Sequence, residues 1–206
     1  MNRLSSIELY WDVGSTNSYF ALKLIKPIVE RHGLALRLRP FNLGYVFRAR
    51  NYVLMDEPPE KIANRKVDLR RWADKYGFAF RFPSVFPIKS SKALRASIAM
   101  RQWDLENAFV DAVMDAYWED DDASIVDYAG MRAIVDRLGV DFERFVALSE
   151  SEGTTRELAA STDDGMKRGV FGAPTIFVGD EMFWGKDRME FVEDEIVRQR
   201  ASINRA

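Results

Sequence analysis

The period of the apolar positions changes several times along this chain, and the changes divide it into elements. Ile7 to Val13 is a short run of β-branched and aromatic side chains that ends at Gly14, the pattern of a strand. From Ser15 to His32 the residues Tyr19, Leu22, Ile25, Ile28 and Val29 recur at helical steps until Gly33, which predicts a helix. Pro27 falls inside it and predicts a kink or a restart, because proline donates no N–H and crowds the preceding turn. Leu34 to Phe41 (LALRLRPF) alternates apolar and polar positions as a second strand. A β-α-β opening of this kind favours a right-handed crossover and parallel pairing.

The middle reads differently. From about Pro58 to about Thr162 the pattern is helical, interrupted by the proline-bearing stretch FRFPSVFPI. Phe109, Val110, Val113, Met114, Tyr117 and Trp118 keep i, i+3, i+4 spacing, which a buried helix face explains better than an aromatic ligand box does. Thr175 to Val178 then reads as a strand, Gly179-Asp180 as a hairpin turn, and Glu181 to Trp184 as the return strand. Lys186 onward is a final amphipathic helix, with the tail ASINRA expected to fray. The order β-α-β, helical block, β-β-α predicts an α/β, thioredoxin-like domain with a large α-helical insertion. The expected boundaries are 1–57 for its first part, 58–162 for the insertion and 163–206 for its second part.

Composition narrows the chemistry. Thirty basic against thirty-two acidic residues lack the basic surplus of a nucleic-acid binder, so no nucleic-acid partner is expected. The absence of cysteine removes disulfides, thiolate metal sites and cysteine nucleophiles together. With His32 as its single histidine, the chain can build neither a His-based triad nor a multi-His metal site. His32 itself reads as a capping residue in the last turn of the first helix. The acidic run at 119–122 reads as a solvated helix start rather than a metal site. No apolar run reaches membrane-spanning length, and MNRLSSIELY lacks a signal peptide's apolar core, so a cytoplasmic protein with no membrane partner is expected. Any acid, base or nucleophile must come from Ser, Tyr, Lys, Asp, Glu or a bound cofactor.

The candidate chemistry lies in DVGSTNSYF (12–20), where a strand turns into a helix whose first N–H groups point outward. Redox proteins often carry Cys-x-x-Cys at such a turn, and here Ser15 and Ser18 hold the outer positions. Ser15 is also a favoured N-cap residue, a role worth about 1 kcal/mol. Spacing alone favours the cap.

Other motifs change the weighting. The Ser15–Ser18 tetrad, GVFGAPTIFV and FWGKDRM stand in order with RPFNLGYVF, DLRRWADKYG, FRFPSVFPI and WEDDD. This ordered set resembles the DsbA-like thioredoxin superfamily, and within it the 2-hydroxychromene-2-carboxylate isomerases and kappa-class glutathione transferases. The resemblance implies glutathione as cofactor, with Ser15 standing where disulfide oxidoreductases carry their first cysteine. It implies a cis bond at Ala173–Pro174, which local sequence would give only about 5–6% of the time. Glutathione would lie along that backbone as an added strand, and Trp184, Gly185, Lys186 and Asp187 would complete the pocket for its γ-glutamyl end. Arg48, Asn51 and Phe86 become the candidates for binding an aromatic substrate. The chain departs from the family pattern at Thr16, where proline is common, at Asn17, and in RARNYVLMDEPP, which lacks a clean Gly-Asn-x-Pro-Pro.

The implied activity is a glutathione-dependent isomerisation in aromatic-compound catabolism, carried out by a homodimer. The serine hydroxyl would hold a glutathione thiolate, and the thiolate would add reversibly to a conjugated double bond. Two readings stay open beside it: a kappa-like glutathione transferase, and a cysteine-free thioredoxin-fold binding protein without catalysis.

Overall fold

Strand β1 (Ser6–Trp11) sends Ile7, Leu9 and Trp11 into one hydrophobic core and Tyr10 into another, the two-residue alternation of a sheet buried on both faces. A computed structural model describes residues 4–53 and 56–203. After β1 come α1 (Thr16–Arg31), β2 (Ala35–Pro40) and α2 (Leu43–Ala49). The helical middle holds α3 (Pro59–Tyr76), α4 (Ser91–Met100), α5 (Glu106–Trp118), α6 (Tyr128–Arg137), α7 (Phe142–Ser149) and α8 (Glu152–Lys167). The chain closes with β3 (Thr175–Val178), β4 (Glu181–Trp184) and α9 (Met189–Ile203). The sheet order is β2-β1-β3-β4, with β1 and β2 parallel and both remaining pairs antiparallel. This is the thioredoxin-like frame, and the expected parallel pairing is present, with Leu9 opposite Leu38.

Several elements differ in detail from what the pattern predicts. β1 stops at Trp11 rather than Val13, because the Asp12 carboxylate accepts the Gly14 N–H at 2.8 Å and folds the chain into a turn. α1 runs as one helix through Pro27 without a restart. Burial of Ile25, Ile28 and Val29 on its inner face holds it together across the missing backbone bond. The 119–122 run is not a helix start at its first residue. Glu119 follows the end of α5, where the Tyr19 hydroxyl donates to it at 2.8 Å and the Lys23 ammonium lies 2.6 Å away. Asp122 does cap a short 3₁₀ turn at Ala123–Val126. Residues 186–188 form a separate 3₁₀ turn before α9. In the tail, 201–203 belongs to α9 and not to a frayed end, while 204–206 lies outside the described residues.

The α5 stripe from Phe109 to Trp118 is buried, as its spacing predicts. His32 is the C-cap residue of α1, and its Nε2 meets Glu193 of α9 at 2.8 Å, tying the first helix to the last. α8 lies against the sheet through Gly165, where an added Cβ would stand 2.8 Å from the Tyr10 ring and 2.9 Å from the Phe41 ring. Only glycine permits that approach. Among the described residues no helix is long and apolar enough to cross a membrane.

Candidate active site

The turn between β1 and α1 is fixed before any ligand is considered. Asp12 is 1% exposed. One of its carboxylate oxygens accepts the Gly14 N–H, and the other accepts the Leu43 N–H at 2.9 Å and the Ser90 hydroxyl at 3.0 Å. Three segments therefore converge on one side chain: the Ser15 turn, the start of α2 and the start of α4. Burial pushes the Asp12 carboxyl up, opposed by the three donors. Trp118, fully buried, donates its indole Nε1–H to the Val13 carbonyl at 2.9 Å and anchors the same turn to α5. Neither residue was singled out from the pattern as a site residue. The signal available for Asp12 was an acid between a strand and the glycine of its turn.

On this platform Ser15 is the N-cap of α1: its Oγ accepts the Ser18 N–H at 3.3 Å. The same hydroxyl donates to the Ala173 carbonyl at 2.8 Å, across 158 residues of sequence. Cap and site are therefore one residue. Accepting from the helix directs the hydroxyl proton outward, where a carbonyl now receives it. Ser18 is fully buried, with its Oγ facing the Asp12 N–H at 3.4 Å, so of the two serines only Ser15 is open to a ligand.

The Ala173–Pro174 bond is cis, as the resemblance implies, and a second cis bond at Phe86–Pro87 was not anticipated. Gly185 donates its N–H to the Pro174 carbonyl at 3.0 Å and so closes the hairpin over that loop. Its φ of +107°, and a Cβ position 2.7 Å from the Asp187 carboxylate, leave room for glycine alone. Trp184 and Phe171 are half-exposed, with ring centroids 5.0 Å apart, beside the loop. Asp187 is exposed and pairs with Arg188 at 2.5 Å. Lys186 turns toward the helical block, with its Nζ 4.5 Å from the centre of the Trp72 ring and 6.0 Å from that of Phe20. Burial pushes its pKa down, against the nearby Asp68 and Asp187.

Comparison with known proteins places this arrangement. Residues 6–197 match the model of the DSBA-like thioredoxin domain. The chain belongs to that family. Within the DSBA-like family it is 30% identical over 205 residues to the 2-hydroxychromene-2-carboxylate isomerase of Pseudomonas putida, covering 96% of this chain and 98% of the relative. The protein of that name from Sphingobium xenophagum is 30% identical over 194 residues, covering 93% and 98%. A solved structure of 2-hydroxychromene-2-carboxylate isomerase superposes with a TM-score of 0.84 at 28% identity, covering 97% of this chain and 98% of that one. These relatives support an isomerase activity for the chain.

In this DSBA-like domain Arg48 and Asn51 are neighbours, with the Asn51 N–H donating to the Arg48 carbonyl at 3.2 Å, and among the described residues no hydrogen bond or ring contact joins Phe86 to either. Arg48, in the last turn of α2, and Asn51, with φ +52°, are both exposed. Among the described residues neither shares a hydrogen bond with Ser15, Ala173 or the 184–187 segment. Phe86 is half-buried, with its ring 6.1 Å from that of Trp118.

Asp12→Asn tests the platform. The amide presents two donors where the carboxylate only accepts, so at least one of the three N–H or O–H partners loses its acceptor. The expected loss is about 1–3 kcal/mol of stability, measured by urea denaturation.

Proposed function

We propose that this protein is a glutathione-dependent isomerase acting on 2-hydroxychromene-2-carboxylate or a closely related unsaturated aromatic acid. The observation that carries this reading is the Ser15 hydroxyl at the start of α1, donating across the fold to the carbonyl before a cis proline in a chain without cysteine. The isomerase names of the relatives support the reaction class.

In the proposed mechanism glutathione would supply the nucleophilic sulfur, and the backbone at Ala173 would hold it. The Ser15 hydroxyl leaves the Ala173 carbonyl for the sulfur and donates its proton to it, while its lone pair stays on the Ser18 N–H. The N-terminus of α1 favours the anion further, by about 0.3–1 kcal/mol when exposed and more when partly buried. Both effects lower the thiol pKa from the roughly 8.5 of a free cysteine.

When bound, glutathione would supply a thiolate able to add reversibly to the conjugated double bond of the substrate, so that the substrate is rearranged and the thiol is returned unconsumed.

That balance supplies the test. With 2-hydroxychromene-2-carboxylate and a small amount of reduced glutathione, the expected result is many turnovers to an isomer of identical mass, with the thiol titre unchanged. Stoichiometric loss of thiol would instead mark a transferase.

A further inference from the structure

Helix α3 and the 82–86 segment line a half-open cavity of about 240 Å³ that none of the contacts described above occupies. Ile62, Phe82, Pro83 and Phe86 form its apolar walls, with the two phenylalanine rings 5.4 Å apart and inclined at 58°. Arg65 and Lys66 of α3 complete the lining together with Ser84. The charges divide clearly. Arg65 is paired with Glu57, which also holds Lys61 at 2.9 Å. Ser84 donates its N–H and its hydroxyl to one oxygen of Asp121, at 2.6 and 3.1 Å. The Lys66 ammonium lies 4.7 Å from the centre of the Phe82 ring and makes no ion pair among the described residues. The charge left over at the rim is positive.

The size is informative as well. The cavity falls just below the roughly 300–1,000 Å³ of sites that take drug-sized ligands, so one ring or two fused rings suit it. Aromatic walls favour a flat ring through offset or edge contacts, and the free ammonium favours a carboxylate beside it. One wall is also tied through the core to the Ser15 turn. Phe86 packs on Trp118, whose indole holds the Val13 carbonyl, and Ile88 lies 3.9 Å from where a Cβ on Gly14 would stand.

We infer that this cavity is the subsite for the ring system of an aromatic carboxylate, with Lys66 as the counter-charge to the carboxylate. The inference rests on the proposed function for the kind of acid that occupies the cavity. It adds Ile62, Lys66 and Phe82 to Phe86 as residues that select it.

The probe is 2-naphthoate, a fused-ring carboxylate inert to thiols, titrated without glutathione and followed by protein NMR. The expected result is saturable binding to the wild type, with the uncharged 2-naphthamide about fivefold weaker. Lys66→Gln, a change at an exposed position, weakens 2-naphthoate about fivefold and leaves 2-naphthamide unchanged. Ile62→Trp fills the cavity from α3 and abolishes binding of both. Equal affinity of Lys66→Gln and wild type for 2-naphthoate, or no saturable binding to the wild type, overturns the inference. Because glutathione is absent, that failure would leave the Ser15 mechanism standing. A failure of glutathione binding would be read in a separate experiment.

Discussion

Ser15→Ala is expected to lower isomerase turnover by about 10²- to 10³-fold, the usual cost of removing one hydrogen-bond donor from a developing or transferred negative charge. The fold survives the change. Alanine loses the cap on the Ser18 N–H, worth about 1 kcal/mol, but Asp12, Leu43, Ser90 and Trp118 still hold the turn. The pH profile distinguishes this from a structural effect. If the hydroxyl lowers the thiol pKa, its loss moves the alkaline rise in turnover to higher pH, and raising the pH recovers part of the rate. A defect of folding would show no such recovery. Steady-state rates of the variant across the neutral and alkaline range, with far-UV circular dichroism as control, check both points. A wild-type rate would remove Ser15 from the mechanism.

The largest effect on stability is expected at Trp118. Its side chain is fully buried, touches the rings of Tyr19, Tyr117, Phe80 and Phe86, and donates to the Val13 carbonyl. Trp118→Ala leaves a cavity costing about 3–5 kcal/mol and strips the buried carbonyl of its donor, a further 1–3 kcal/mol or so. Against a typical total of about 5–15 kcal/mol, that is enough to unfold much of the population at physiological temperature. Trp118→Phe keeps most of the packing and loses only the hydrogen bond, so it falls between the two. Urea denaturation midpoints should therefore order as wild type, then phenylalanine, then alanine. The phenylalanine variant also reports on function, because a Val13 carbonyl without its donor loosens the turn that carries Ser15. Its turnover should fall while it remains folded. Alanine and wild type with the same midpoint would contradict this account of the core.

What could be read from the sequence was local. The hairpin from Thr175 to Trp184 follows its pattern residue by residue, because a strand of β-branched and aromatic residues and a Gly-Asp turn carry their own geometry. The α5 stripe was equally legible. The end of β1 was not, because the acceptor that ends it serves donors at Leu43 and Ser90, far along the chain. Pro27 gave a true local signal that tertiary packing overrode.

The site divides the same way. Ser15 as a cap was visible in the spacing. Its bond to Ala173 spans 158 residues, and no local pattern carries it. Lys186 follows the hairpin in the chain, but its turn toward Trp72 depends on where α3 lies, which no neighbouring residue encodes.

The measurement closest to the central claim is calorimetric titration of reduced glutathione into the wild type and Ser15→Ala at neutral pH, repeated in buffers of different ionisation heat. The account predicts saturable binding to the wild type with release of the thiol proton, and clearly smaller proton release in the variant. No binding to the wild type, or equal proton release by the two proteins, would contradict it.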